Sequence, residues 1–262
     1  VVVVVSRSKE SLIAAAKSLN IPTIELQHGS PERGKLNYDY TSGIRKSTFP
    51  DWFASFGPFW LEQIRLPIAS HGVYHLGFPY LLRKLAASGS FEKVAQMLIV
   101  SQPVVLTPLI RFACEVARHF QSTIQVVYKP HPQEFHTGSL SYEKQLLASG
   151  VQIADQADDL YDLLGRSRWQ VGVYSTALYE GIALGAYCFI LRASGHEHVR
   201  RLTELGLASY VDGPADIDLA KEVDIHQARE LFRYPNSESV RQLLQLSRGS
   251  KMVARASFGN DP

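Results

Sequence analysis

Trp169–Leu191, WQVGVYSTALYEGIALGAYCFIL, reads strand, turn, helix, strand. Gln170 to Tyr174 is short, β-rich and apolar, the pattern of a strand buried in a parallel sheet. Ser175-Thr176 then stands where an N-cap belongs. Ala177 to Leu184 suits a helix, and Gly185 ends it as a C′ glycine. Tyr187 to Leu191 is the next strand. Such a βαβ unit brings a helix N-terminus, with free N–H groups and the positive end of the dipole, to the carboxyl edge of the sheet. Phosphate is the natural ligand there. One turn into the helix, Glu180 can reach the same crevice and accept hydrogen bonds from a ribose diol. A Ser-Thr pair before a helix most often only caps it, so the assignment depends on what the rest of the chain brings to that edge.

Around this stretch the second half keeps an α/β rhythm. Met97–Val100 reads as a strand ending in Ser101-Gln102-Pro103, and Thr107 to Phe120 as an amphipathic helix with Pro108 at N1. Ile124–Tyr128 is a strand leading into Lys129-Pro130-His131-Pro132. Val151–Ala154 is a strand, Asp158 to Leu164 a helix, Val199 to Leu205 a helix and Leu207–Val211 the last strand. A mostly helical tail, Asp216 to about Leu246, packs back across the domains, and the end from Ser247 frays.

The first half restates the pattern. Val1–Val5 is a strand, Ser6 to Asn20 an Ala-rich helix, and Pro22 to Leu26 a second strand that runs into Gln27-His28-Gly29. A chain that begins inside a strand predicts a first domain that is incomplete at its N-terminus. Residues 31–50 form a long polar loop carrying Tyr38, Asp39 and Tyr40, and long loops in compact domains tend to be functional. Asp51 to Phe56 is a strand, Phe59 to Ile64 a helix, Val73 to Leu76 a strand, and Tyr80 to Ala87 a helix. Ser88-Gly89-Ser90 marks the domain crossing, which divides the chain into 1–90 and 91–262. The expected fold is therefore α/β, with two Rossmann-like domains facing a cleft.

Composition narrows the function. The chain has 262 residues, 45% hydrophobic and 20% charged, as in a soluble globular protein. A formal net charge of +2, without a Lys/Arg block, argues against a nucleic-acid partner. Cys114 and Cys188 stand far apart in apolar contexts and read as buried thiols of a reducing compartment. No apolar run has transmembrane length. His71 and His75 lack acidic or thiol neighbours at ligand spacing and read as structural, so no metal site is expected.

In a doubly wound sheet, Ser101-Gln102, Lys129 to Pro132 and Ser175-Thr176 with Glu180 all face one crevice. Lys129 is a point charge suited to phosphate, and His131 can donate to a phosphoryl oxygen from a loop stiffened by two prolines. A histidine, a lysine and a helix dipole can hold a nucleotide leaving group without metal.

This set resembles a superfamily of GT-B glycosyltransferases. Its members include CDP-glycerol glycerophosphotransferases of teichoic acid synthesis, bacterial sialyl- and polysialyltransferases, and Kdo transferases of capsule and lipopolysaccharide. Lys129-Pro130-His131-Pro132 is similar to the family's His-Pro motif, which contacts the donor phosphate. Ser175-Thr176 occupies the place of its Ser/Thr pair, and Glu180 that of the carboxylate that holds ribose. Gln27-His28-Gly29 is similar to the His-Gly motif of the glycerophosphotransferases, whose histidine is the proposed base; the family usually has Trp where Gln27 stands. The acidic motif of the sialyltransferases is absent, since Asp158-Asp159 lacks the following glycine.

The resemblance implies a metal-independent transferase without a cofactor, with His28 as base and Asp39 as second choice or orienter. Gln102, Lys129, His131, Ser175, Thr176 and Glu180 would hold a CMP-, CDP- or UDP-activated donor. A glycan or glycolipid of the cell surface would be the acceptor, and the protein would be cytoplasmic, with room for peripheral association at the inner face of the membrane. Two other readings stay open. One is a nucleotide-sugar 2-epimerase of GT-B-like fold, which would want more carboxylates near His28. The other is a catalytically silent binding subunit that works beside a partner.

Overall fold

Parallel strands followed by helices or 3-10 turns build both halves of the chain. The structure, a computed structural model, describes residues 1–5, 9–34, 37–41, 43–87, 91–137, 141–232 and 237–253. The chain divides into one unit of residues 1–82 with 230–262 and a second of residues 83–229.

The first unit contains β1 (Val2–Val4), α1 (Glu10–Ser18), β2 (Thr23–Leu26), β3 (Trp52–Ser55) and β4 (Val73–His75), with the strands parallel in that order. Its core includes an aromatic group of Tyr38, Phe49 and Phe53. The unit boundary falls inside α2 (Pro79–Ala87), ahead of the crossing expected at residues 88–90, which lie outside the described residues. The tail expected with the second domain divides at Glu230: its part up to Arg229 lies in the second unit and the rest in the first. Trp60 Nε1 donates to Leu231 O at 2.6 Å, and Phe232 packs among Phe56, Trp60 and Phe78. The last helix buries Leu243 against Ile24 and Ala54.

The second unit runs β5 (Val94–Val100), α3 (Leu106–His119), β6 (Gln125–Lys129), α4 (Glu143–Ala148), β7 (Gln152–Ile153), α5 (Leu160–Arg166), β8 (Ser167–Gly172), α6 (Ala177–Ala183), β9 (Tyr187–Leu191), α7 (Arg200–Glu204), β10 (Ala208–Val211) and α8 (Ile225–Arg229). After it, α9 (Ser237–Val253) closes the described chain. The sheet order is β10-β9-β8-β5-β6-β7, all parallel. This is the doubly wound order: the chain starts in the middle, builds outward through β7, then crosses back to β8 and builds the other way. The order reverses between β5 and β8.

The near-continuous apolar runs of β5 and β9 follow from cover on both faces. On one face α3 buries Leu109, Phe112, Ala113 and Val116 with Met97, Tyr128, Val171 and Phe189. On the other, α6 comes close to β8 because residue 181 is glycine. A Cβ there would lie 2.3 Å from Gln170 Oε1, and Gln170 is itself held by donating from Nε2 to Leu178 O at 2.8 Å. Lys93 fixes the far ends of the two helices on this face. Its ammonium donates to Ser167 O and Leu184 O, both at 2.8 Å, and to Leu164 O, carbonyls that α5 and α6 leave open. Burial pushes that ammonium down to about 8.

Most expected elements are present. Gly185 has a φ of +84° and ends α6 as the sequence predicts. The segment expected as a helix over 59–64 is a 3-10 turn, Pro58–Leu61. Helix α3 begins at Leu106, which puts Pro108 third rather than first; its missing N–H is still one of the first-turn groups that need no intrahelical partner. Among the described residues, no helix is long and apolar enough to cross a membrane.

Candidate functional site

All six strands of the second unit end at one edge, and the loops that follow them carry the expected residues. At the reversal point, Gln102 follows β5 and Tyr174 follows β8. Gln102 Oε1 accepts the Tyr174 N–H at 2.9 Å, so the side chain expected to touch the donor ties the two loops together.

The turn from β8 into α6 has both capping and open groups. Ser175 Oγ accepts the Ala177 N–H at 3.2 Å, so this hydroxyl supports the helix start and keeps its proton to donate. Thr176 is the N-cap by position, but its side chain makes no capping bond. Glu180 is half-buried one turn further on. Desolvation pushes its carboxyl up to about 7, against a hydrogen bond from Tyr161 of α5 that favours the charged form.

The loop after β6 departs from expectation in one respect. Lys129 is 9% exposed and its ammonium donates to Asp155 O. Burial pushes it down, while Asp158, Asp155 and Asp159 hold it up. Lys129 is thus turned to the loop after β7, with one of its three N–H donors on the Asp155 carbonyl.

His131 is held more closely than the sequence suggested. It stands immediately before the 3-10 turn Pro132–Thr137. Its backbone N–H donates to Glu134 Oε1 at 2.6 Å, and its Nδ1 accepts the Gln133 N–H at 3.2 Å. This is a variant of a capping box: Glu134 at N3 reaches back to the N-cap N–H as usual, while an imidazole in place of the Ser or Thr hydroxyl accepts from the N2 rather than the N3 backbone, with proline at N1. The other Glu134 oxygen accepts the hydroxyl of Tyr142, whose buried ring lies edge-on to Tyr128 at 5.5 Å between centroids. Tyr128 OH shares a hydrogen bond of 2.8 Å with Ser101 Oγ. Glu134 and Tyr142 were not expected from the sequence. The available signal was a glutamate three residues after His131, the spacing of a capping box.

The loop after β9 was also missed. Gly195, at φ +90°, packs on the ring of Tyr174, where a Cβ would lie 2.6 Å from the ring carbons. The His198 ring meets the same tyrosine edge-on at 5.7 Å. Arg192 lies over the Tyr210 ring at 4.6 Å, and His196 meets that ring edge-on. Through Gly195 and His198 this loop packs on Tyr174, the residue that follows β8 by two positions, while Arg192 and His196 pack on Tyr210 of β10.

In the first unit, His28 is exposed just beyond β2. Gln27, buried beside it, donates from Nε2 to Gly29 O at 2.9 Å and accepts the Phe56 N–H at 2.8 Å, which fixes the His-Gly loop to the end of β3. Asp39 is a loop clamp: its two oxygens accept the N–H groups of Gly34 and Arg65 at 2.8 and 3.0 Å. Glu25, fully buried in β2, accepts the Tyr38 hydroxyl at 2.8 Å. His75 Nδ1 lies 2.6 Å from the buried Ser55 Oγ, a structural pairing as expected. Cys114 and Cys188 are both free thiols and buried. Among the described residues, no three His, Cys, Asp or Glu side chains group to hold a metal.

The sequence matches no family model and no curated protein. Solved structures do match. UDP-GlcNAc 2-epimerase of Methanocaldococcus jannaschii, in complex with UDP-GlcNAc and UDP, is similar at a TM-score of 0.61 and 12% identity, over 93% of this chain and 74% of that one. MnaA of S. aureus with UDP is similar at 0.58 and 11% identity, over 95% of this chain and 75% of that one. The wall teichoic acid polymerase TagF gives 0.42 and 13% identity, over 87% of this chain and 60% of that one. The first two carry the fold assignment: the chain has a GT-B-like α/β fold with Rossmann-like units.

Proposed function

We propose that the second unit binds the nucleotide diphosphate of an activated sugar at the β5–β8 reversal point, and that the chain is a metal-independent transferase of surface-polysaccharide synthesis. The observation that supports this reading is that β6 and β8 run parallel to the same sheet edge, where the His131 loop follows one and the Ser175 turn, leading into the helix of Glu180, follows the other. The His131 ring accepts at Nδ1, so its neutral form carries the proton on Nε2, a donor suited to a phosphoryl oxygen. Glu180 would accept from the ribose hydroxyls. The leaving diphosphate gains negative charge as its bond to the sugar breaks, and His131, Ser175 and the open N–H groups of α6 would stabilise it. His28 of the first unit would take the proton of the acceptor hydroxyl as that oxygen attacks. Asp39, committed to two backbone groups, would support the loop rather than act as base. The acceptor would be a glycan or glycolipid, and the setting the cytoplasmic side of the cell envelope.

A second reading, nucleotide-sugar 2-epimerisation, is favoured by the similarity to a UDP-GlcNAc 2-epimerase. One experiment separates the two. Incubating the protein with UDP-, CDP- and CMP-activated donors, with and without a glycan acceptor, should give product only with acceptor. Conversion of a donor without acceptor would replace transfer by epimerisation, and no turnover in any combination would leave a binding subunit.

A further inference from the structure

The His131 side chain and backbone are held by groups of its own loop. His131 N–H donates to Glu134 Oε1, Glu134 N–H donates back to His131 O at 2.8 Å, and Gln133 N–H donates to Nδ1. The remaining Glu134 oxygen is occupied by Tyr142. We propose that Glu134 and Tyr142 are positioning residues that hold the His131 loop in the conformation in which Nδ1 accepts from the Gln133 N–H, so that Nε2–H is the donor the loop after β6 presents.

The chemistry follows from the inventory of each group. A backbone N–H can only donate, so the Nδ1 it meets must be unprotonated. A carboxylate can only accept, so Glu134 holds the His131 backbone and the Tyr142 hydroxyl at once. Burial, and then the Glu134 contact, push the Tyr142 hydroxyl well above the usual range, which keeps its proton in place as a donor. Burial does the same for Tyr128. Tyr128 and Tyr142, with Ser101 hydrogen-bonded to Tyr128, form a buried aromatic support, and Glu134 links the Tyr142 hydroxyl to the His131 backbone N–H. A single Nε2–H donor held in a fixed loop suits a phosphoryl oxygen. The value of this donor for phosphate rests on the proposed function; the tautomer does not.

The test is a long-range ¹H–¹⁵N imidazole spectrum of the full ¹⁵N-labelled chain at pH 8, with the His131 signals identified by their loss in His131→Asn. The parent should show an unprotonated Nδ1 and a protonated Nε2. Glu134→Ala and Tyr142→Phe should shift the signals to a mixture of tautomers. Glu134→Gln, which keeps an acceptor oxygen, should restore the parent pattern. If Glu134→Ala does not fold, the Phe and Gln variants decide the matter. A parent ring protonated at Nδ1, or a ring unchanged in both disruptive variants, overturns the proposal. UDP titration of the same variants should give affinity about tenfold weaker wherever the ring is released. A released ring with unaltered UDP affinity would refute the phosphate role of the loop while leaving the positioning of His131 established.

Discussion

Gln102 Oε1 accepts the backbone N–H of Tyr174 at 2.9 Å, across the point where the strand order reverses. The first unit repeats the device: Gln27 Oε1 accepts the Phe56 N–H and so joins the ends of β2 and β3. In each case a glutamine following a strand supplies the bond that the diverging backbones no longer make to one another.

Gln102→Ala should therefore leave the Tyr174 N–H without its partner. We expect a loss of about 1–2 kcal/mol in urea unfolding and weaker UDP binding through loss of loop alignment. A variant with parent stability and parent affinity would show that the bond does not set the site.

Glu180 links function to pH. Its carboxyl lies at about 7 in the folded chain, against an ordinary value of 4.5. The folded state thus holds a proton that the unfolded state has released between these limits. Stability attributable to this group is greatest below pH 4.5, falls as pH rises through the window, and levels off above 7, a change of up to about 3 kcal/mol. Glu180→Gln removes the titration, so it should raise Tm relative to the parent at pH 8 and much less at pH 4.5. Equal shifts at both would place the carboxylate in solvent.

The same group should govern ribose recognition. Ionised Glu180 accepts from the ribose hydroxyls with both oxygens, whereas the protonated acid has fewer acceptor sites. UDP affinity should rise with pH through about 7 in the parent and lose that step in Glu180→Gln. The variant should also weaken UDP more than 2′-deoxy-UDP; equal losses for both would assign Glu180 to support of α6.

Gly181→Ala tests how α6 sits on β8. Alanine usually favours a helix over glycine by about 1 kcal/mol. Here its Cβ would meet the Gln170 amide at 2.3 Å, and that amide is buried and already bonded to Leu178 O. The clash should prevail, with a net loss of about 1–3 kcal/mol in thermal or denaturant unfolding. A stabilised variant would mean that the helix can lift off the strand at little cost.

The central βαβ stretch was legible because its signals are local. Alternating burial was not needed to see β8 and β9, since strands covered on both faces read as apolar runs, and Gly185 marked the helix end by its own backbone preference. The carboxyl-edge location of Gln102, His131, Ser175 and Glu180 followed from the order of elements. What the sequence could not show is where a side chain turns. Lys129 looked free for phosphate, but its partner Asp155 is 26 residues away and reaches it only because β6 and β7 pair. Asp39 looked like a second-choice base or an orienter, and its partners Gly34 and Arg65 become neighbours only when the long loop folds. Phe232 and Leu243 carry no local sign that they complete the core of the first unit. Glu134 was readable in principle, through the His-x-x-Glu spacing, once an imidazole is admitted as a capping acceptor.

The catalytic part of the account rests on His28, exposed beyond β2 and braced by Gln27. His28→Ala should bind UDP as the parent does and lose transfer by about 10²–10⁴-fold. Retained turnover would remove His28 from the chemistry.

The most direct measurement is calorimetric titration of the parent and His131→Ala with UDP, CDP and CMP. The account predicts one site per chain, a clear preference among the three bases, and an affinity for the preferred nucleotide weaker by about 1–3 kcal/mol in the variant. Equal affinity of parent and variant for all three nucleotides would contradict it.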